Sequence, residues 1–119
     1  MQVDSFVQAT RTLGLTLSEA QLSKFENFEE ALYRANEVMN LTRVAREECW
    51  LRHFVDSLLF QDLIPRGAAV LDIGTGPGFP AWPLACARPD LSITAMHWDS
   101  GSIFPSILLL TVIKVLKAF

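Results

Sequence analysis

The chain has 119 residues, half of them apolar and 19% charged, which suits one globular domain and excludes a disordered, charge-rich segment. A formal net charge of −3 argues against an independent nucleic-acid binder, which normally displays a basic patch. Cys49 and Cys86 are far apart and match neither a metal-ligand nor a redox-pair spacing, so both read as reduced packing residues and no metal site is expected.

The first predicted helix covers Asp4–Leu13 and ends at Gly14. Ser18 with Gln21 three residues later fits a capping box that opens a second helix. Leu22, Phe25, Phe28, Leu32, Ala35 and Met39 then recur at three/four spacing and form one apolar stripe. The stripe breaks at Asn40-Leu41-Thr42, where Asn40 reads as a helix-terminal cap. A third helix is expected from about Arg46 to Leu63, with Leu51, Val55, Leu58, Leu59 and Leu63 turned inward; Pro65 and Gly67 close it.

Beyond that boundary the period changes. Val70–Ile73 has the length of a strand, Pro80–Ala87 reads as a helix with Pro83 tolerated in its first turn, and Leu91–Met96 is a second strand. Strand, turn, helix and strand make a βαβ unit. No acidic residue follows Asp99, and Ile103–Phe119 is mostly apolar, with only Lys114 and Lys117 as charges. It is too short and too interrupted for a confident membrane span, and Ile107–Ile113 is an aggregation-prone window if uncovered. The expected organisation is a helical layer over 1–66, a βαβ unit over 67–100 and an apolar tail over 101–119. Polar residues interrupt Met1–Gly14, so no secretory signal is read there and a cytoplasmic location is the default expectation.

Residues Val70–Pro80, VLDIGTGPGFP, carry most of the functional information. An apolar run ends in Asp72, and Gly74, Gly76 and Gly78 follow at alternate positions before Phe79 and Pro80 open the helix. Glycine lets a ligand approach the main chain, and a helix start offers unpaired N–H groups. The dinucleotide fingerprint G-x-G-x-x-G would need a third glycine where Phe79 stands, so that match fails. The pattern D-x-G-x-G-x-G instead resembles motif I of S-adenosylmethionine (SAM) methyltransferases. A tight structural turn is the simpler alternative. The candidate cofactor residues are Asp72, Gly74, Gly76, Gly78 and Phe79; Phe79 either contacts the cofactor or packs beneath the turn.

Three further blocks sharpen the resemblance: Asn40-Leu41-Thr42, then Arg52-His53-Phe54-Val55-Asp56-Ser57-Leu58, then Ala87-Arg88-Pro89-Asp90-Leu91. Their order and spacing around the glycine turn resemble the bacterial small-subunit rRNA guanine-N7 methyltransferases, the glucose-inhibited division protein B family, over about Leu22 to Met96. That resemblance implies an α/β chain: a helical N-terminal layer followed by a partial Rossmann-like class I SAM methyltransferase fold. It also implies SAM as cofactor and 16S rRNA or the small ribosomal subunit as partner. The family's ribose-binding acid comes from an Asp-Ser pair directly after the second strand. Here His97-Trp98 intervene, so Asp99 takes that role if the strand end bulges by two residues, and otherwise the ribose site is lost. His53 and Asp56 share a helix face and could position RNA, brace the cofactor turn or simply pin the helical layer to the sheet; pinning is the simpler reading. No catalytic base is assigned, because guanine N7 carries an in-plane lone pair and loses no proton before attack. The altered segment after Met96 and the missing later segments suggest a truncated or frame-shifted chain, possessing the family's cofactor cradle without its opposite wall and therefore inactive alone, with self-association through an uncovered sheet edge. Rival readings are another nucleotide-binding α/β enzyme, such as a dehydrogenase, and a non-catalytic helical interaction module.

Overall fold

The computed structural model describes residues 1–96 and the short strand at 113–114. Helix α1 (Val3–Thr12) and helix α2 (Glu19–Met39) precede an irregular helical segment. Strand β1 (Ala69–Ile73), helix α4 (Ala81–Ala87) and strand β2 (Ser92–Met96) follow it. The expected boundaries hold within one or two residues. The capping box forms: the Ser18 hydroxyl accepts from the Gln21 N–H at 3.2 Å, and the Gln21 side chain accepts from the Ser18 N–H at 2.8 Å. At the other end Asn40 adopts a left-handed conformation, φ 49°, and closes α2.

The segment expected as one regular helix over Arg46–Leu63 is four short pieces. A 3-10 turn (Arg46–Glu48), a π-helical stretch (Trp50–Val55), α3 (Asp56–Leu58) and another 3-10 turn (Gln61–Leu63) succeed one another. Among its buried residues, Cys49, Phe54, Leu58 and Gln61 lie five, four and three apart. Those steps match the wide π turn, the α turn and the tight 3-10 turn in order. Of the side chains expected inward, Val55 and Leu58 are buried, while Leu51, Leu59 and Leu63 are exposed. A constant 3.6-residue period misassigns them because the helical pitch changes along the segment.

Aromatic rings hold the helical elements together. Phe6 of α1, Phe25 of α2 and Phe54 are fully buried and meet in one cluster. The Phe25 ring lies 4.9 Å from both Phe6 and Phe54 in edge-on contact, and 5.1 Å from Trp82 of α4. Phe28 stacks on Trp82 at 4.1 Å. Edge-to-face and offset-stacked pairs add to the area term, each by about 0.5–1.5 kcal/mol. On the α2 stripe, Phe25 and Leu32 are buried but Met39 is exposed. Glu29, absent from any apolar pattern, is buried and binds Arg46 Nε at 3.0 Å, tying α2 to the irregular segment.

Strands β1 and β2 pair in parallel, with Ala69 opposite Ser92 and Ile73 opposite Met96. Ile113–Lys114 forms a two-residue strand, β3, antiparallel to β2. The sheet thus has a parallel pair, as expected of a βαβ unit, with α4 as the crossover.

A clamp follows α4. Asp90 lies exposed in a turn, and the Arg88 guanidinium donates to it at 2.8 Å and to the Gln61 carbonyl at 2.7 Å. Asp90 also accepts from the Gly67 N–H at 3.0 Å. The clamp fastens the end of α4 to both sides of the boundary before β1. The Arg88 guanidinium, then the Gly67 N–H, hold the Asp90 carboxyl well below the usual carboxylate range. A carboxyl depressed on folding contributes stability that is present above its ordinary value of 3.8 and is lost as pH falls through the lower folded value. Denaturant unfolding should therefore separate wild type from Asp90→Asn at pH 7, and the two curves should converge in acid below 3.8.

Candidate cofactor site

The glycine turn lies at the carboxyl ends of β1 and β2, where open α/β sheets bind ligands. The Met96 carbonyl, closing β2, accepts from both the Gly74 N–H at 2.8 Å and the Thr75 N–H at 3.0 Å. The Thr75 carbonyl in turn accepts from Gly78 at 3.0 Å and Phe79 at 2.9 Å. Gly74 has φ 76° and Gly76 φ 56°, and a Cβ built on either would meet nothing within 4 Å. Both glycines are thus required by backbone conformation, and the space beside them is open.

Asp72 acts on the helix behind the turn. Its Oδ2 accepts from the Ala81 N–H at 3.1 Å and so caps α4. This corrects one expectation. The N–H groups at the start of α4 are not free: Trp82 donates to the Gly78 carbonyl at 2.7 Å, Leu84 donates to the Pro80 carbonyl at 3.2 Å, and Pro83 has no N–H. Among the described residues, the Gly76 N–H, Asp72 Oδ1 and the Gly74 and Gly76 carbonyls have no hydrogen-bond partner. Thr75, which the sequence pattern does not single out, is 2% exposed and its hydroxyl has no partner among the described residues. Asp99 lies outside the described residues.

Phe79 packs beneath the turn. Its ring is 5.7 Å from Phe28 and 6.2 Å from Phe54. His53 stacks flat on it, with ring centres 4.4 Å apart and planes 4° from parallel. His53 Nε2 is 2.7 Å from the Thr42 hydroxyl. Burial, followed by the neighbouring Arg52 charge, lowers the His53 pKa below its ordinary 6.5. His53 thus touches both the ring beneath the turn and the Thr42 loop. Phe60, Ile64, Pro80 and Leu84 line an open groove of about 420 Å³ beside Phe79.

A family model described as rRNA small subunit methyltransferase G (GidB) matches residues 21–111. The chain belongs to this family. Curated relatives named ribosomal RNA small subunit methyltransferase G include proteins from Leuconostoc citreum, 39% identical over 99 residues, and from an Exiguobacterium species, 43% identical over 97. Another, from Sorangium cellulosum, is 39% identical over 98 residues. Each alignment covers 79% of this chain and 41% of the relative, so the chain spans about two fifths of their length.

Within this methyltransferase G family member, four of the seven arginines are paired among the described residues. Arg34 binds Glu30 at 2.8 Å, Arg52 binds Glu48 at 3.1 Å, and Arg46 and Arg88 are held by Glu29 and Asp90. Arg11, Arg43 and Arg66 are exposed and have no ion pair among the described residues. Both cysteines are free thiols; burial pushes Cys49 up to about 12 and Cys86 up to about 11, which suits packing residues. No described helix is long and apolar enough to cross a membrane.

Proposed function

We infer that this chain carries the cofactor-binding part of a Rossmann-like SAM-dependent methyltransferase acting on N7 of a guanine in small-subunit 16S rRNA, in the cytoplasm. The observation that carries the reading is the glycine turn, tied by its first two N–H groups to the end of β2, with open space at Gly74 and Gly76. A cofactor edge can approach the main chain there, with the Gly76 N–H as donor and Asp72 Oδ1 as acceptor. The relatives' names support the small-subunit rRNA as substrate.

SAM supplies an activated methyl group on a cationic sulfur. The protein's own task is alignment, because guanine N7 needs no base to remove a proton. Asp72 fixes α4 against β1, Phe79 supports the turn from below, and the turn holds its ligand in register with the sheet. Orientation of two reactants can contribute about 7–11 kcal/mol to a barrier reduction.

Titration calorimetry tests the reading. Wild type and Cys86→Ser should bind SAM alike. Gly74→Val, which puts a β-branched side chain at φ 76°, should bind at least tenfold more weakly, about 1.4 kcal/mol. Gly74→Asn tolerates positive φ while filling the same space, so it separates strain from occupation of the cradle. No SAM binding by wild type, or equal binding by all variants, would overturn the assignment.

A further inference from the structure

We propose that His53 is a positioning residue that locks the glycine turn to the Asn40–Thr42 loop, through its stack on Phe79 and its hydrogen bond to Thr42. The inference rests on the proposed function only in calling the turn a cofactor cradle; the positioning itself stands on geometry.

Three contacts form a continuous path. The Asn36 side-chain carbonyl accepts from the Thr42 N–H at 2.8 Å, which fixes the loop to the last turns of α2. The Thr42 hydroxyl accepts from the Val44 N–H at 3.1 Å and sits 2.7 Å from His53 Nε2. The imidazole then lies parallel to Phe79 at 4.4 Å. The Phe79 N–H is one of two that the Thr75 carbonyl holds inside the turn.

Proton counting shows that Nε2 is taken up. A hydroxyl has one proton to donate and two acceptor positions, of which the Val44 N–H uses one. One proton lies between the Thr42 hydroxyl and Nε2, given by the hydroxyl to a ring protonated on Nδ1 or by Nε2–H to the second acceptor position. In either arrangement Nε2 is occupied. Nε2 is therefore not a base awaiting a substrate. The ring is instead a flat plate pinned along one edge, and Phe79 cannot tilt toward the helical layer without displacing it. Since the same Thr42 fixes the Val44 N–H, the loop bearing the exposed Arg43 and the glycine turn move together. Linkage is reciprocal, so a ligand that tightens the turn also tightens the loop.

Amide hydrogen exchange on the full 119-residue chain tests this without any cofactor. The probes are the Gly78 and Phe79 N–H groups, with the Leu22 N–H of α2 as reference. His53→Ala should raise exchange of the turn amides at least tenfold relative to Leu22. His53→Phe, which keeps a stacking ring, should stay within about threefold of wild type. Thr42→Val should move the turn in the same direction as His53→Ala and add nothing further in the His53→Ala background, as expected of residues acting in series. Equal acceleration of turn and reference amides would overturn the proposal, as would His53→Phe behaving like His53→Ala or additive effects of the two sites. If His53→Ala does not fold, His53→Phe and Thr42→Val with their double variant decide the same question. SAM affinity is the second readout: His53→Ala should lose about tenfold and His53→Phe little. Failure of wild type to bind SAM would count against the proposed function, while the exchange comparison would still decide the role of His53.

Discussion

Phe54→Ala should destabilise the protein by about 3–5 kcal/mol, the usual cost of emptying a buried aromatic site. Phe54 is fully buried and its ring faces four other elements of the core: Phe6 at 5.9 Å, Phe25 at 4.9 Å, Phe79 at 6.2 Å and Trp82 at 6.4 Å. Truncation removes the ring that joins α1, α2, the glycine turn and α4 at one point, and rigid neighbours on every side limit collapse into the void. Leu63→Ala is the comparison. A regular helical period turns Leu63 inward, but it is 74% exposed, so its loss should stay within about 0.5 kcal/mol. Urea unfolding of the two variants measures the difference. Equal losses would mean that Arg46–Leu63 is the single regular helix of the periodic pattern and that the π-helical stretch is wrong.

That contrast shows which features are legible in the sequence. Helices α1 and α2 announce themselves through local chemistry: a capping box, an Asn cap and a steady three/four stripe. Strands β1 and β2 and the glycine turn are equally local. Cys49–Leu63 is not, because its pitch changes where the aromatic cluster pulls Phe54 inward, and no local pattern encodes a five-residue step. Glu29, Gln61 and Arg88 fail for the same reason: each looks solvent-facing until a partner far along the chain appears. At the site, Asp72 and the glycines follow from spacing, and Asn40 from its place at a helix end. The stack of His53 on Phe79 joins residues 26 positions apart, and Thr75 is a turn residue whose burial depends on the end of β2. A motif identifies such residues as a group, but only their packing separates a brace from a surface pair. The arginines divide in the same way: Arg34 and Arg52 pair with acids one helical turn away, which sequence spacing shows, whereas Arg46 finds Glu29 17 residues back.

The 119-residue chain should self-associate through the open face of β1, and charge placed on that face should reverse it. Strands of parallel sheets normally have both faces covered. Along β1, Ala69, Leu71 and Ile73 point to one face and all three are exposed, Leu71 at 56% and Ile73 at 73%. Val70 and Asp72 alternate to the other face and are partly covered. Fully burying a large aliphatic side chain is worth about 1.5–3 kcal/mol, so the four such residues of a dimer give a gain of the same order as the lower end of the association cost, about 4 kcal/mol, and the expected association is weak. Ile73→Lys combined with Leu71→Thr should weaken self-association at least tenfold, about 1.4 kcal/mol, without disturbing the aromatic core on the far side of the sheet. Leu109→Lys tests the apolar window Ile107–Ile113, of which residues 107–112 lie outside the described residues, and Met39→Lys is the control for a generic gain of charge. Sedimentation velocity across a concentration series reads all four proteins. A wild type that stays monomeric would refute the association, and a larger effect from Leu109→Lys than from the β1 pair would move its origin from the sheet face to the apolar window.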